Sequence, residues 1–304
     1  MKLQFKFYIF ILYICFNNHC LGQDIEPRRW NALPLNKHII GVGYAHTSGD
    51  ILFDPLLQAE DVTVKVNTLV ISYVQSFKLG DKLARFDLVL PYNNADWKGL
   101  LSSEPTKIHR DGFSDPRLRF SLNLTGPPAL NGKELLEYYA SHQSFTTLGV
   151  SLAITLPLGQ YFEEKIINLG QNQFAICPQV GFVHQWKKWS YELTGSVVFF
   201  TQNPNFSNGK DKQLDPVFAL QSHLIWNFKP RYWTSVSLSY GLGGKSVVNR
   251  QPNNDERGDI QTGMAFGFPI VKNQGAKIFY IHSETTKDIG SRLNIVGLGW
   301  SVLF

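Results

Sequence analysis

The chain closes on SRLNIVGLGWSVLF, residues Ser291 to Phe304. Val296, Leu298, Trp300, Val302 and Phe304 fall on one phase of a period-two pattern, and Gly297, Gly299 and Ser301 on the other. Successive side chains of a strand point to opposite faces, so one face is apolar, the other is small or polar, and the end is aromatic. The closing strand of a bacterial outer-membrane barrel has this pattern, because its outward face meets lipid. A strand ending a soluble sandwich alternates too. The composition of the second face over the remaining strands separates the two.

Upstream, Leu118, Phe120, Leu122 and Leu124 alternate with Arg117, Arg119, Ser121 and Asn123, and Phe86, Leu88, Leu90 and Tyr92 with Arg85, Asp87 and Val89. Leu148 to Leu156 and Tyr232 to Tyr240 repeat the alternation against Gly, Ser, Ala and Thr. A sandwich would turn Lys and Glu to water; here the second face is mostly small and hydroxylic, as a barrel lumen requires. About twelve such strands are expected, near 38–46, 62–76, 82–92, 115–124, 146–156, 173–184, 189–201, 216–228, 232–241, 259–269, 276–283 and 291–304. Tight connections at 79–81, 185–188, 229–231 and 271–275 alternate with long polar ones such as 93–114, 201–215 and 241–258. Short periplasmic turns and long outer loops produce that rhythm. The expected fold is therefore all-β: a single transmembrane antiparallel β-barrel over 38–304, both termini periplasmic, with 23–37 as a periplasmic segment. One periplasmic connection, 125–144, is long. Asn131 with Glu134 forms a capping-box pattern, and Leu135, Leu136 and Tyr139 mark a short amphipathic helix.

Lys2 and Lys6 flank an apolar run from Phe7 to Phe16, followed by Cys20-Leu21-Gly22. This reads as a signal peptide over 1–22. The run is too short to span a bilayer as a helix, so the chain is expected to be exported to the outer membrane of a Gram-negative cell. The mature chain then carries 27 basic against 24 acidic residues. That balance is too mild and too scattered to imply a nucleic-acid partner. Cys15 and Cys20 leave with the leader, so Cys177 has no partner for an internal disulfide. Strand closure must do what staples do elsewhere.

Three stretches carry a resemblance: DPRLRFSLNLTGPPAL at 115–130, GVSLAITLPLGQYFEEKIINLGQNQF at 149–174 and DPVFALQSHLIWNFKPRYWTSVSLSY at 215–240. Together they resemble the outer-membrane barrel family described as transporters of the meta-cleavage pathway of phenol degradation, over nearly the whole mature chain. The PLGQY…K.INLG.N run at 157–172 is the most specific part. The resemblance implies a porin-like channel for small solutes, aromatic or other apolar compounds among them, and brings no catalytic residue.

The polar phase supplies the candidate pore lining: Lys65, Arg85, Asp87, Arg117, Arg119 and Asn123, with Glu192 and His223. Arginine facing lipid at the midplane costs about 2–4 kcal/mol, so these groups are expected to face inward. Asp87 is expected to reach Arg117 or Arg119 on the neighbouring strand. They form either a cationic strip that favours anions or a neutralised network filling a narrow lumen. Gln160, Lys165, Asn168 and Asn172 are candidate outer-loop residues, lining a vestibule or folding back on the strand ends. Asp115-Pro116 and Asp215-Pro216 punctuate strand starts. Trp189, Trp226, Phe228, Tyr232, Trp300 and Phe304 cluster near the short turns, as a membrane girdle would.

An enzyme is the rival from another class. Outer-membrane phospholipases use a His and a Ser two residues apart on one strand face, oriented by an Asn; this chain has His46 with Ser48 and His142 with Ser144. His142 and Ser144 fall at the expected periplasmic end, whereas substrate lipid would be met in the outer leaflet. His46 and Ser48 lie at the outer end but have no evident Asn partner, and the arrangement needs its orienter. Nothing calls for a cofactor or a metal. The expected function is a passive channel for small solutes, not an enzyme, and a non-conducting barrel with a filled lumen is the alternative. Its expected partners are outer-membrane lipid, small-molecule solutes and the barrel-assembly machinery, which would read the C-terminal strand.

Overall fold

The computed structural model describes residues 25–52, 59–165 and 167–304. The leader expected over 1–22 lies outside them. In chain order the elements are β1 (His38–Leu52), β2 (Ala59–Leu79), β3 (Lys82–Leu101), β4 (Glu104–Phe113), β5 (Arg117–Asn123), α1 (Gly132–Ser141), β6 (Ser144–Thr155), β7 (Ala175–Trp186), β8 (Trp189–Phe200), β9 (Asn203–Phe206), β10 (Lys210–Leu214), β11 (Val217–Lys229), β12 (Tyr232–Gly243), β13 (Ser246–Val248), β14 (Gln251–Pro252), β15 (Arg257–Val271), β16 (Gln274–Thr285) and β17 (Gly290–Leu303).

Twelve of these strands pair antiparallel in the order β2-β1-β17-β16-β15-β12-β11-β8-β7-β6-β5-β3, and β2 also pairs with β3, so the sheet closes on itself. Closure leaves no unpaired strand edge facing lipid. The terminal strand performs it: Ile39 lies opposite Leu303 and Gly49 opposite Leu293. His38 N donates to the Phe304 carbonyl at 3.0 Å, and Phe304 N returns a bond of 2.9 Å. Both chain ends of the barrel therefore sit at the end carrying the short turns, called here the turn end; the opposite one is the loop end.

Side-chain direction follows the alternation. Leu69, Ile71, Val180, Phe218, Leu220, Val236, Leu238, Val296 and Leu298 are exposed on the outside, while Ser121, Ser151, Thr194, Ser196, Gln221, Ser237 and Ser239 are buried inside. Outward aromatics form a chain of ring contacts near the turn end. Trp189 stacks on Trp226 with centroids 5.7 Å apart, Trp226 meets Phe228 at 5.3 Å, and Phe228 meets Tyr232 at 5.9 Å and Phe266 at 6.2 Å. Trp300 and Phe304 are also exposed, on the seam side.

The loop end differs from expectation in two places. Residues 93–114, expected as a polar loop, continue β3 and return as β4, with Tyr92 opposite Phe113. The hairpin turns at Ser102 and Ser103, both left-handed at φ of 51° and 66°. The loops near 201–215 and 241–258 hold a second sheet, β14-β13-β10-β9. Short strands separated by Asn, Gly and Pro do not present a long enough alternation to be told from loop. At the turn end α1 forms as its capping box requires: Asn131 Oδ1 accepts from Lys133 N and Glu134 N at 3.1 Å, and Glu134 reaches back to Asn131 N at 3.0 Å. Leu35 N donates to the Leu130 carbonyl at 2.8 Å, which ties this connection to the chain leading into β1. Burial pushes the Tyr139 hydroxyl up to about 12.

Candidate functional site in the barrel lumen

The stretch Ile25–Trp30, expected outside the barrel in the periplasm, is packed inside it. Trp30 is 1% exposed, and its Nε1 donates to Thr194 Oγ1 at 2.8 Å. Arg29 N donates to Glu192 Oε1 at 3.1 Å, and its guanidinium bonds Ser121 Oγ. The Trp30 ring occupies the space that side chains at positions 149 and 181 would need: a Cβ on Gly149 or Gly181 would fall within the ring. These two glycines are register partners on β6 and β7. Small residues there create a slot, and an indole from the N-terminal segment fills it.

The charged lumen residues are organised by the same segment. Glu26 Oε1 accepts from Arg117 at 3.1 Å, and Arg119 bonds both carboxylate oxygens. Asp87 accepts from Arg85 and lies 3.6 Å from Arg29. Asp87 and Arg119 are register partners, as expected, yet Arg119 takes Glu26 instead. A carboxylate held between two fork-shaped guanidiniums forms the stronger, charge-assisted bonds. Asp87, Arg119, Asn123, Glu192 and His223 are buried, and His223 Nδ1 lies 2.8 Å from Ser237 Oγ. Arg85, Asp87, Arg117 and Arg119 thus belong to one ion-paired network with Glu26 and Arg29. Glu192 joins it through the Arg29 backbone N–H, with Asn123 beside it and His223 farther along the wall.

Lys65 is a correction. It is exposed and shares its phase with Leu69 and Ile71, both outward; its register partners are Ser48 and Asp96. The inward residues there are Val64 and Val66, which pack with Ile51, Ala95, Trp97, Leu293 and Ile167. Near the loop end, then, the polarity of β2 inverts: outward groups lie beyond the apolar belt and meet water, and the interior is closed by apolar side chains.

Ile167 belongs to the loop 156–174, which folds back rather than lining an open vestibule. Asp115 anchors it, with Oδ1 accepting Gly159 N and Oδ2 accepting Gln171 N, both at 2.8 Å. Burial pushes the Asp115 carboxyl up, and those N–H donors oppose the shift. Gln160 N donates to the Phe113 carbonyl at 2.8 Å. Asn168 Oδ1 accepts Phe162 N while its Nδ2 donates to the carbonyl of Lys165 at 3.0 Å. Asn172 Nδ2 donates to Asn203 Oδ1 at 2.9 Å. Gln160, Asn168 and Asn172 hold the loop together; Lys165 contributes backbone, and its side chain is exposed.

The N-terminal segment leaves part of the lumen open. Arg29 and Trp30 lean on β3 and β5–β8. Facing β1 and β15–β17 is a cavity of about 670 Å³, reaching the turn end. Its wall along β1 and β17 is nearly bare backbone: Gly41, Gly43, Ala45, Gly299 and Ser301.

Reasoning from sequence missed Glu26, Arg28, Arg29 and Trp30. Two signals were available. The inward phase holds three arginines against Asp87 alone nearby, so an acid was missing; and Gly149 faces Gly181 across two lumen strands with nothing in either to fill the gap.

The family profile described as "Putative MetA-pathway of phenol degradation" matches residues 45–295. The chain belongs to this family. Among solved structures, an outer membrane channel from Pseudomonas putida F1 superposes with a TM-score of 0.78 at 18% identity, covering 92% of this chain and 100% of that one. The β domain of the Bordetella autotransporter BrkA gives 0.50 at 10% identity, covering 88% and 100%. These likenesses establish the fold, an outer-membrane-type barrel. No curated protein matches the chain. For this family member the hydrolase arrangement is half present. His46 Nδ1 lies 2.9 Å from Asn67 Oδ1, the orienting contact that the sequence did not reveal. Asn67 also accepts from the Tyr44 hydroxyl, however, and the same trio recurs as Tyr280, His282 and Asn294, with 2.7 and 3.0 Å contacts. Two residues after His282 stands Glu284, not a serine. A motif repeated without the nucleophile is an outward polar ring above the apolar belt. The other candidate, His142, stacks on Tyr138 at the end of α1, 4.1 Å between centroids.

Proposed function

We propose that the protein is an outer-membrane channel for small apolar or aromatic compounds, exported by its leader and oriented with the turn end in the periplasm. The observation that carries this reading is the occupancy of the lumen. Glu26, Arg29 and Trp30 fill its polar zone, and the loop-end interior is apolar, with Ile167 packed on Val64, Val66, Trp97 and Leu293. A general porin keeps a water-filled polar lumen; here the N-terminal segment occupies much of the polar zone and apolar side chains close the loop end. The family's description, tied to phenol degradation, fits solutes of that kind. The lipid-facing surface would be surrounded by outer-membrane lipid, and the terminal strand would be the element read by the barrel-assembly machinery.

The test is dye and sugar flux in vesicles with a lipopolysaccharide outer leaflet. The channel should speed uptake of N-phenyl-1-naphthylamine and leave sugar-driven swelling near background. Swelling at the rate of an open porin, without faster dye uptake, would overturn the reading. The inserted N-terminal segment also favours a second reading, a filled barrel acting as a scaffold; absence of both fluxes from a heat-modifiable, folded barrel would select it.

A further inference from the structure

Lys277 sits on the inward phase of β16, next to the outward Ile278 and opposite Gly299 and Gly267 in register. Its stem runs along Gly299, where an added Cβ would meet Lys277 carbons at 3.3 Å. It lines the 670 Å³ cavity and stays exposed to it. Arg28 and Lys272 line the same cavity, Arg28 over the Trp233 ring. Arg29, Arg85, Arg117 and Arg119 have carboxylates, and Arg231 donates to the carbonyls of Val271 and Gln274 at 2.8 and 2.6 Å. Among the described residues Lys277 has no ion pair or hydrogen bond; its ammonium lies 5.5 Å from the Phe279 ring centroid.

The surroundings add an apolar frame. The Phe279 ring occupies the space that a Cβ on Gly297 would need. Across the cavity Trp233 packs over Gly267, with the Arg28 guanidinium 5.2 Å from its ring. An unpaired ammonium inside a membrane barrel is costly. An ammonium beside the Phe279 ring, in a cavity that Trp233 also lines and whose volume is typical of small-ligand pockets, is a recognition element for an anion with a flat apolar body.

We propose that this cavity binds small aromatic monocarboxylates, with Lys277 holding the carboxylate and Phe279 and Trp233 flanking the ring. This inference rests on the channel reading for the location of the solute path. A neutral phenol, whose hydroxyl ionises near pH 10, would fill the same space without the charge contact.

The experiment is calorimetric titration of the refolded full-length mature barrel, in uncharged detergent at pH 7, with 2-naphthoate and with its neutral counterpart 2-naphthol. Lys277→Met keeps the stem and removes the charge. It should weaken 2-naphthoate by about tenfold or more, as loss of a charged hydrogen bond does, while 2-naphthol is unchanged and Lys277→Arg restores naphthoate. Equal naphthoate affinity in wild type and Lys277→Met would overturn the proposal. Should Lys277→Met fail to fold, Gly43→Leu serves instead, since an added Cβ there meets nothing closer than 3.6 Å. It should block both probes, and unaltered binding of both would equally overturn the site. Binding is measured at equilibrium, so Lys277-dependent affinity without vesicle flux would sink transport and leave the site standing.

Discussion

The indole of Trp30 lies in a slot formed by Gly149 and Gly181, so that the first aromatic of the described residues is buried inside the barrel that follows it. The relationship is reciprocal: the slot needs glycine on both strands, and without the slot the N-terminal segment has no anchor. Gly181→Val should expel the ring, because the new side chain would have to occupy the same space. We expect single-channel conductance in planar bilayers to rise several-fold over wild type while the barrel remains heat-modifiable on gels. Unaltered conductance would show that the segment does not limit the ion path.

Glu26 is shared between Arg117 and Arg119. Removing one member of an ion cluster leaves charge uncompensated. The Glu26 side chain is 34% exposed, so solvent screening brings the cost below that of a fully buried pair, about 3–5 kcal/mol. Glu26→Gln should therefore lower the urea midpoint of the refolded barrel clearly. Adding Arg119→Gln to it should recover part of the loss, as coupled neighbours do. Strictly additive losses would mean that the three groups do not act together. Replacing Arg85, Arg117 and Arg119 together by Gln leaves Glu26 and Asp87 facing Arg29 alone, so the reversal potential should move toward cation preference. An unaltered reversal potential would show that the cluster lies off the ion path.

The barrel was legible because its strands carry one strong signal, the alternation imposed by lipid outside and small polar groups inside; all twelve wall strands overlap their expected ranges. The site was legible only where that rule holds. Arg85, Asp87, Arg117 and Arg119 obey it. Lys65 does not, because β2 runs past the apolar belt to a zone where Val64 and Val66 face inward. Glu26 and Trp30 were invisible for a different reason. They lie outside any repeating element, and a short segment that inserts into a closed sheet has no period to betray it; only the unfilled glycine slot and the missing acid point to it.

Asp115 holds both ends of the fold-back loop through Gly159 N and Gln171 N. Its carboxyl is pushed up by burial, so the charged form is the disfavoured one in the fold. The stability it contributes is fullest at acid pH and falls as pH rises above the unfolded value through the folded one. Asp115→Asn removes the charge but turns one amide N–H toward a backbone donor, leaving one N–H unsatisfied at about 1–3 kcal/mol. We expect faster protease cleavage within 156–174 in Asp115→Asn, with strand protection unchanged in hydrogen exchange. Equal cleavage of variant and wild type would show that the loop is held elsewhere, for instance through Asn168.

The outward trio of Tyr44, His46 and Asn67 matches that of Tyr280, His282 and Asn294. In each, one amide oxygen accepts from a tyrosine and meets a histidine across neighbouring strands, at the level where the apolar belt ends. Among the described residues Ser48 Oγ makes no hydrogen bond to His46, and the second trio has Glu284 at the matching position. Nucleophilic catalysis requires the hydroxyl to reach its base; anchoring at a headgroup level requires only the ring of polar side chains. Purified protein should release no fatty acid from phospholipid vesicles, and Asn67→Ala should lower the thermal midpoint in bilayers as Asn294→Ala does. Lipid hydrolysis present in wild type and lost in Ser48→Ala would reverse this assignment and make the first trio a catalytic site.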